Sequence, residues 1–350
     1  MQFVSRVVPD KIAMEVSKIF DLPFDGTATA TIKDIGSIPA DFGIGVIHGS
    51  SGSGKSTILH TIGSTPRPQW NADMAICSHF PTAQEAIERL TAVGLNDIPS
   101  WVKPYHALSN GQQFRADMAM MIGDGATIDE FTSVVNRQVA KSASVAMARY
   151  VRKKGIKRVV LATCHDDILE WLEPDWTYNT DTCEMRVGRY LRRPTIRLEV
   201  YRGRVQDWKM FARHHYLSGE IHNSAQCYIG TINDHVVAFS SVLPMPTGFL
   251  CNAYREHRTV LLPDYQGLGI GVRFSDAVAS IQVSMGRRYY SKTTHPRMGQ
   301  YRSESPYWRP TSENMRSRRS GKADDFAHMN EKARIGILAY SHEYIGKGEV

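Results

Sequence analysis

The chain has 350 residues, 42% of them hydrophobic and 22% charged, with a net charge of +7. That length suits two domains of ordinary size. No run of 18 apolar residues is present to form a transmembrane helix, and the first six residues lack the basic-then-apolar layout of a secretory signal, so a soluble cytoplasmic protein is expected.

Five scattered cysteines (Cys77, Cys164, Cys183, Cys227, Cys251), none in a CxxC pair, argue against a disulfide framework or a structural zinc site. Residues 1–188 hold 18 Lys+Arg against 21 Asp+Glu, a net of −3, whereas residues 189–350 hold 24 against 14, a net of +10. The sign change suggests two units with different partners, the second facing either a polyanion such as nucleic acid or only solvent.

Ile44 to His48 reads as a buried strand and Thr57 to Ile62 as a helix, with a Gly/Ser loop between them. Met74 to Phe80 is a candidate strand, Ala83 to Ala92 has helical spacing, and Pro99 and Pro104 punctuate a loop. Phe114 to Met121 and Arg137 to Lys154 read as helices, and Ala126 to Ile128 and Arg158 to Thr163 as strands. This alternation predicts a largely parallel α/β sheet. The character changes near residue 190. Ile196 to Val200 alternates as a strand, and a helix is expected over Trp208 to Tyr216. Ser224 to Thr231 and Val236 to Leu243 are joined by the hairpin signal Asn233-Asp234. Strand Arg258 to Leu262, a glycine turn, helix Val272 to Ser284 and strand Tyr289 to Thr293 follow.

The loop Gly49-Ser50-Ser51-Gly52-Ser53-Gly54-Lys55-Ser56 matches GxxxxGK[ST] in the strand–loop–helix context that motif needs. Its glycines let successive N–H groups turn inward on phosphate oxygens, and the next helix presents its positive end there. Lys55 would reach the β- and γ-phosphates of ATP, with Ser56 completing a Mg²⁺ shell and Thr57 following. Downstream come Leu108-Ser109-Asn110-Gly111-Gln112, then Ala126-Thr127-Ile128-Asp129-Glu130, Thr132 to Asn136, and His165 after a strand. From Gln112 to Asp129 is 17 residues, and from Asp129 to His165 is 36.

In this series residues 1–188 resemble the ABC ATPase superfamily. The first segment is similar to its LSGGQ signature, with Asn110 for a glycine; the second is similar to its Walker B strand. Thr132 to Asn136 stands at the D-loop, with Asn136 for aspartate, and His165 at the switch histidine. The resemblance implies that Asp129 holds magnesium, Glu130 polarises the attacking water and His165 senses the γ-phosphate. It further implies an ATP-sandwiched homodimer, in which Ser109, Gly111 and Gln112 face the partner's nucleotide. The family's Q-loop glutamine is not evident, and His79 is the best substitute by position. Only about 50 residues separate Thr57 from Leu108. That is short for a transporter ATPase and more like the soluble ABC ATPases that act on nucleic acids or proteins.

In the second half Gln266-Gly267-Leu268-Gly269-Ile270-Gly271 follows a strand and opens a helix. With the flanking elements, it resembles motif A of GNAT-type acyltransferases over residues 196–310. The expected fold class is therefore α/β: a P-loop ABC-type nucleotide-binding domain (1–188) followed by an α+β GNAT-like domain (189–350). The resemblance implies that Gln266, Gly267, Gly269 and Gly271 hold the pyrophosphate of acetyl-CoA or another acyl-CoA. The alternative is a turn whose glycines only permit tight packing. Glu256 or His257 is the candidate base, Tyr301 or Tyr307 the candidate acid, and His214-His215-Tyr216 a candidate acceptor-side lining. Segment 295–309 mixes arginines with aromatics, and 316–322 is a basic loop; both suit nucleic acid or an ordinary solvated edge. One branch of that fold, the Mom-type phage enzymes, modifies adenine in DNA. The leading expectation is an ATPase that controls an acyltransferase; the runner-up is an ATP-gated nucleic-acid-binding module with a non-catalytic GNAT-like platform.

Overall fold

The computed structural model describes residues 2–31, 34–215, 220–246, 250–317 and 338–347. In chain order, β1 (Gln2–Arg6), α1 (Lys11–Ile19) and β2 (Thr27–Thr31) precede β3 (Ile44–His48) and α2 (Lys55–Ile62). Helices α3 (Ala83–Ala92), α4 (Ile98–Trp101) and α5 (Asn110–Met121) follow, then β4 (Thr127–Ile128) and α6 (Arg137–Lys154). Next come β5 (Val159–Thr163), α7 (Leu169–Leu172), β6 (Trp176–Asn179), β7 (Glu184–Val187), β8 (Glu199–Gly203) and α8 (Trp208–Phe211). The remainder is β9 (Gln226–Ile232), β10 (His235–Pro244), β11 (Ala253–Leu261), α9 (Ile270–Ser284) and β12 (Arg288–Thr293). The described chain ends with α10 (Pro296–Glu304), β13 (Trp308–Pro310), β14 (Arg316–Ser317) and β15 (Leu338–Tyr344).

Two compact units interleave along the chain. One holds residues 1–69, 117–136 and 147–194; the other holds 70–116, 137–146 and 195–350. In the first, the sheet order is β4-β5-β3-β6-β7, parallel except for β7. Central β3 and β5 are buried along their whole length, which is why they read as unbroken apolar runs. Ile47, Ile58, Leu59 and Trp176 form the core beside them.

In the second unit the sheet order is β13-β15-β12-β11-β10-β9-β8, with β14 on β15. The β9–β10 turn places Asn233 and Asp234 at φ 48° and 63°, the paired left-handed geometry of a two-residue hairpin loop. Strands β11 and β12 are parallel, but their ladder joins only Ala253–Arg255 to Arg288–Tyr290. Helix α9 packs Phe274 and Val278 onto a core with Tyr228, Val242 and Tyr289.

Several elements differ from the sequence expectation. Ile76–His79 is a 3₁₀ turn, and Ala75 makes only an isolated bridge to Pro104, because the carbonyls of Ala75 and Cys77 accept local N–H groups. The helix at Trp208 ends at Phe211 and passes into a 3₁₀ turn; Tyr216 lies outside the described residues, as do 318–322 of the basic loop. Strand β11 starts five residues earlier than expected, so Glu256 and His257 sit within it. Among the described residues, no helix is long and apolar enough to cross a membrane.

Candidate functional sites

In the first unit, the carboxyl end of β3 feeds the phosphate loop. Gly52 and Gly54 stand at φ 79° and 90°, a left-handed region that side chains disfavour, and Gly54 caps α2. Such glycines turn backbone N–H groups into an anion-binding nest at the positive end of the helix. The Lys55 Nζ donates to the carbonyls of Gly49 (3.0 Å) and Ser50 (2.5 Å). An ammonium has three donors, so one remains for a phosphate oxygen. Ser56 is exposed and Asp129 is half-buried at the end of β4. One hydroxyl and one carboxylate are the oxygen donors that magnesium takes together with nucleotide phosphates and water, so these residues fit MgATP.

The segment after β4 is strained. Glu130 and Thr132 have φ of 50° and 70°, and Thr132 is β-branched and buried, a genuine outlier. The Asp129 Oδ1 accepts the Glu130 N–H at 2.8 Å, the Phe131 N–H donates to the Ala162 carbonyl, and the Thr132 hydroxyl lies 3.2 Å from the His165 Nδ1. Arg67 reaches the exposed Glu130 carboxylate at 3.5 Å.

Sequence reading missed two carboxylates in this unit. Asp181 accepts the Ser50 N–H at 2.8 Å and the Ser50 hydroxyl at 2.6 Å, and these bonds hold its carboxyl below the usual range. Asp166 pairs with the His48 Nδ1 at 2.8 Å. Neither follows a phosphate-binding pattern; only the β3–β6 register and the turn after β5 bring them to the loop.

The signature segment belongs to the second unit. There Ser109 and Gln112 cap α5 reciprocally. The Ser109 N–H donates to Gln112 Oε1 (3.0 Å), and the Gln112 N–H to Ser109 Oγ (3.4 Å). This is the S-x-x-Q capping box, a helix-start signal that the sequence carries at Ser109 to Gln112. Gln112 Nε2 also donates to Ser100 Oγ (2.7 Å) and Asp97 Oδ2 (3.2 Å), and Gly111 lies against Val139. His79 is engaged locally: its ring lies edge-on to Trp70, with Nε2 accepting the Asn71 N–H.

The glycine turn of the second half is closed by its own chain. A Cβ at Gly267, whose φ is 94°, would stand 2.9 Å from the Ala146 Cβ and 3.0 Å from the Ser142 carbonyl oxygen. On another side lies Gly94, where a Cβ would meet the Gln266 carbonyl oxygen at 3.1 Å and the Gly267 Cα at 3.3 Å. Gln266 and Leu268 are buried; Gly269 (φ 83°) caps α9, and Gly271 has only Leu261 near its Cβ position. Gln266 Oε1 accepts the Asn96 N–H (3.0 Å), and its Nε2 donates to the Leu261 carbonyl (3.2 Å). Against each other, Ser142 and Ala146, Gly267 and Gly94 thus have no room for a side chain, which accounts for these two glycines by close backbone packing.

Where the β11–β12 ladder ends, a buried ion pair stands. Glu256 Oε2 meets Arg302 Nη2 at 2.6 Å, with the Ser291 and Thr259 hydroxyls also donating to that carboxylate. Burial alone would raise the Glu256 carboxyl, but Arg302 and the hydroxyls outweigh it and hold it below its ordinary value. Such a carboxylate is a poor proton acceptor. Burial, then Arg258 and Arg255, pushes His257 down to about 4. Tyr307 is 47% exposed, while the Tyr301 hydroxyl donates to Asp276 and is pushed up, first by burial, to about 12. His214 accepts from Arg213 Nε, and His215 lies edge-on to Trp208. Of the candidates for base and acid, Glu256 is thus held by Arg302 and Tyr301 by Asp276.

No protein-family model matches the chain, and no curated protein matches it. Solved structures similar to it include two kinds. A dimeric bacterial ABC transporter cassette is 16% identical with a TM-score of 0.32, covering 44% of this chain and 84% of that one. An IAA acetyltransferase from Bacillus cereus is 13% identical with a TM-score of 0.31, covering 42% and 99%. A Bacillus subtilis acetyltransferase in complex with CoA is 10% identical with a TM-score of 0.30, covering 43% and 95%.

Proposed function

We propose that this chain binds and hydrolyses ATP with magnesium, as an ABC-type cassette that works as an ATP-sandwiched homodimer. The observation that carries the reading is the Lys55 ammonium set among the left-handed glycines of the loop at the N-terminus of α2. Bound MgATP would supply the scissile phosphoanhydride. Lys55 would neutralise the phosphates, and Ser56 and Asp129 would hold the magnesium. Glu130, exposed beside Asp129, accepts the proton of the attacking water, and Thr132 orients His165 by its hydroxyl. In the dimer, Ser109 and Gly111 of one copy face the nucleotide of the other.

For the basic half, the buried Glu256–Arg302 pair favours a GNAT-like platform without acyl transfer, gated by ATP and facing a nucleic acid. Acyl-CoA-dependent transfer through Glu256 and Tyr307 is the competing reading. It requires the ion pair to open.

Two substitutions test the cassette. Lys55→Ala should abolish tight MgATP binding, whereas Glu130→Gln should keep binding and trap a dimer, read by light scattering with and without ATP. A Glu130→Gln protein that stays monomeric at saturating ATP would end the sandwich model. Transfer from labelled acetyl-CoA to any acceptor would restore the acyltransferase reading.

A further inference from the structure

The segment that closes the glycine turn belongs to the same unit as the signature helix, and both are bonded to the second half. Helix α3 ends at Ala92 and is closed through Val93 and Gly94, with Leu95 N–H on the Leu90 carbonyl and Gly94 N–H on the Thr91 carbonyl. That cap lays residues 91–97 onto the turn. Arg297 Nη1 donates to the Thr91 carbonyl (3.0 Å), and the Asn96 N–H donates to Gln266 Oε1 (3.0 Å). Next in the chain, Asp97 accepts from Gln112 and from the Ser100 hydroxyl. A polar chain therefore runs from Ser109 through Gln112, Asp97 and Asn96 to Gln266.

A second route is independent of the first. Arg115, one helical turn beyond Gln112 on α5, is 1% exposed. Its Nη1 donates to the Pro263 carbonyl (2.8 Å) and its Nη2 to the Ser142 hydroxyl (2.7 Å). Pro263 opens the turn leading to Gln266, and Ser142 is the residue whose carbonyl crowds Gly267. A buried guanidinium is held only by such directed partners, so its contacts fix the α5 position rather than decorate it.

We infer that the glycine turn Gln266–Gly271 is an internal socket that positions the signature helix, with Gln266 and Arg115 as its two clamps. Gly267 serves close approach by Gly94 and by residues 142–146. The socket makes the GNAT-like half a structural partner of the ATP-sensing signature, and in that functional consequence the inference rests on the cassette reading above. Gln266 and Arg115 are positioning residues: they act on ATP turnover through Ser109 and Gly111, not by touching the nucleotide.

The test uses the full chain with Gln266→Ala and Arg115→Met, and Gln300→Ala as a surface control. Removing the buried partner of the Asn96 N–H should make amides 108–115 exchange about tenfold faster, with amides 44–62 unchanged. MgATP turnover should fall about tenfold in kcat with KM unchanged. Coenzyme A titrated into the wild-type protein should neither bind nor protect residues 266–271. Protection there by coenzyme A, lost in Gln266→Ala, would overturn the inference; so would unchanged exchange at 108–115 in Gln266→Ala. Should Arg115→Met not fold, Gln266→Ala decides alone. A wild-type protein without ATP turnover would sink the cassette reading, while the exchange measurement would still judge the socket.

Discussion

Asp181 shows how one residue can set the ligand response of the phosphate loop. Its carboxylate takes the N–H and the hydroxyl of Ser50, within the GxxxxGKS loop, and its charge lies in the field of Lys55. A triphosphate arriving there meets both a competing acceptor and a like charge. Asp181→Asn should therefore bind MgATP a few-fold more tightly, with the gain shrinking as salt rises. Equilibrium titration at two ionic strengths checks this; weaker binding would mean that Asp181 shapes the loop for its ligand instead. The GxxxxGKS pattern announces Lys55 and Ser56 because each has a fixed place in a local motif. Asp181, 131 residues beyond Ser50, has none, and only parallel pairing of β3 with β6 delivers it.

At the scale of elements, local chemistry explains which boundaries could be read. The helix over Ala83–Ala92 was legible because Thr82 caps its start on the Glu85 N–H (3.1 Å) and its apolar positions recur with helical period. Helix α6 matched its expected span, with Arg152, Lys153 and Lys154 in its last turn. The stretch Ile76–His79 misled because a short apolar run does not distinguish a strand from a tight turn. Gly94 is where α3 meets the rest of its unit. With φ at 82° and the Gln266 carbonyl 3.1 Å from its Cβ position, Gly94→Ala should destabilise the unit by about 2 kcal/mol. Thermal unfolding should show this as a fall of about 4–8 °C in Tm. An unchanged Tm would mean that the cap relaxes away from the turn.

Over the whole molecule, acid should act chiefly through the second unit. His295 is pushed down to about 4, first by burial and then by Arg297, below the ordinary value near 6.5 for an unfolded chain. Between those values the unfolded state binds the proton that the folded state refuses, so stability is full above about pH 6.5 and falls towards pH 4. The shift corresponds to about 3 kcal/mol. Glu256 adds to the trend at lower pH, because its depressed carboxyl contributes stability above the ordinary carboxylate range and loses it as pH falls through the folded value. Denaturant midpoints at pH 7.5, 6 and 4.5 should decrease in that order, and His295→Gln should flatten the upper step. An unchanged slope in that variant would assign the acid sensitivity elsewhere.

By itself, the sequence determined what depends on near neighbours in the chain. The phosphate loop, the strand before Asp129 and Glu130, the order of motifs to His165, the Asn233-Asp234 hairpin and the strand–glycine–helix run at 266–271 are all short-range patterns. Tertiary structure alone decided how those patterns are used. A glycine that leaves room for a ligand and one, like Gly267, that leaves room for Gly94 and Ser142 have the same local sequence. Likewise, a glutamate free to take a proton and one locked on Arg302 differ only in what folding brings beside them. Contacts between residues far apart in the chain carry no local signature, and they set which backbone and side-chain groups remain available for a ligand.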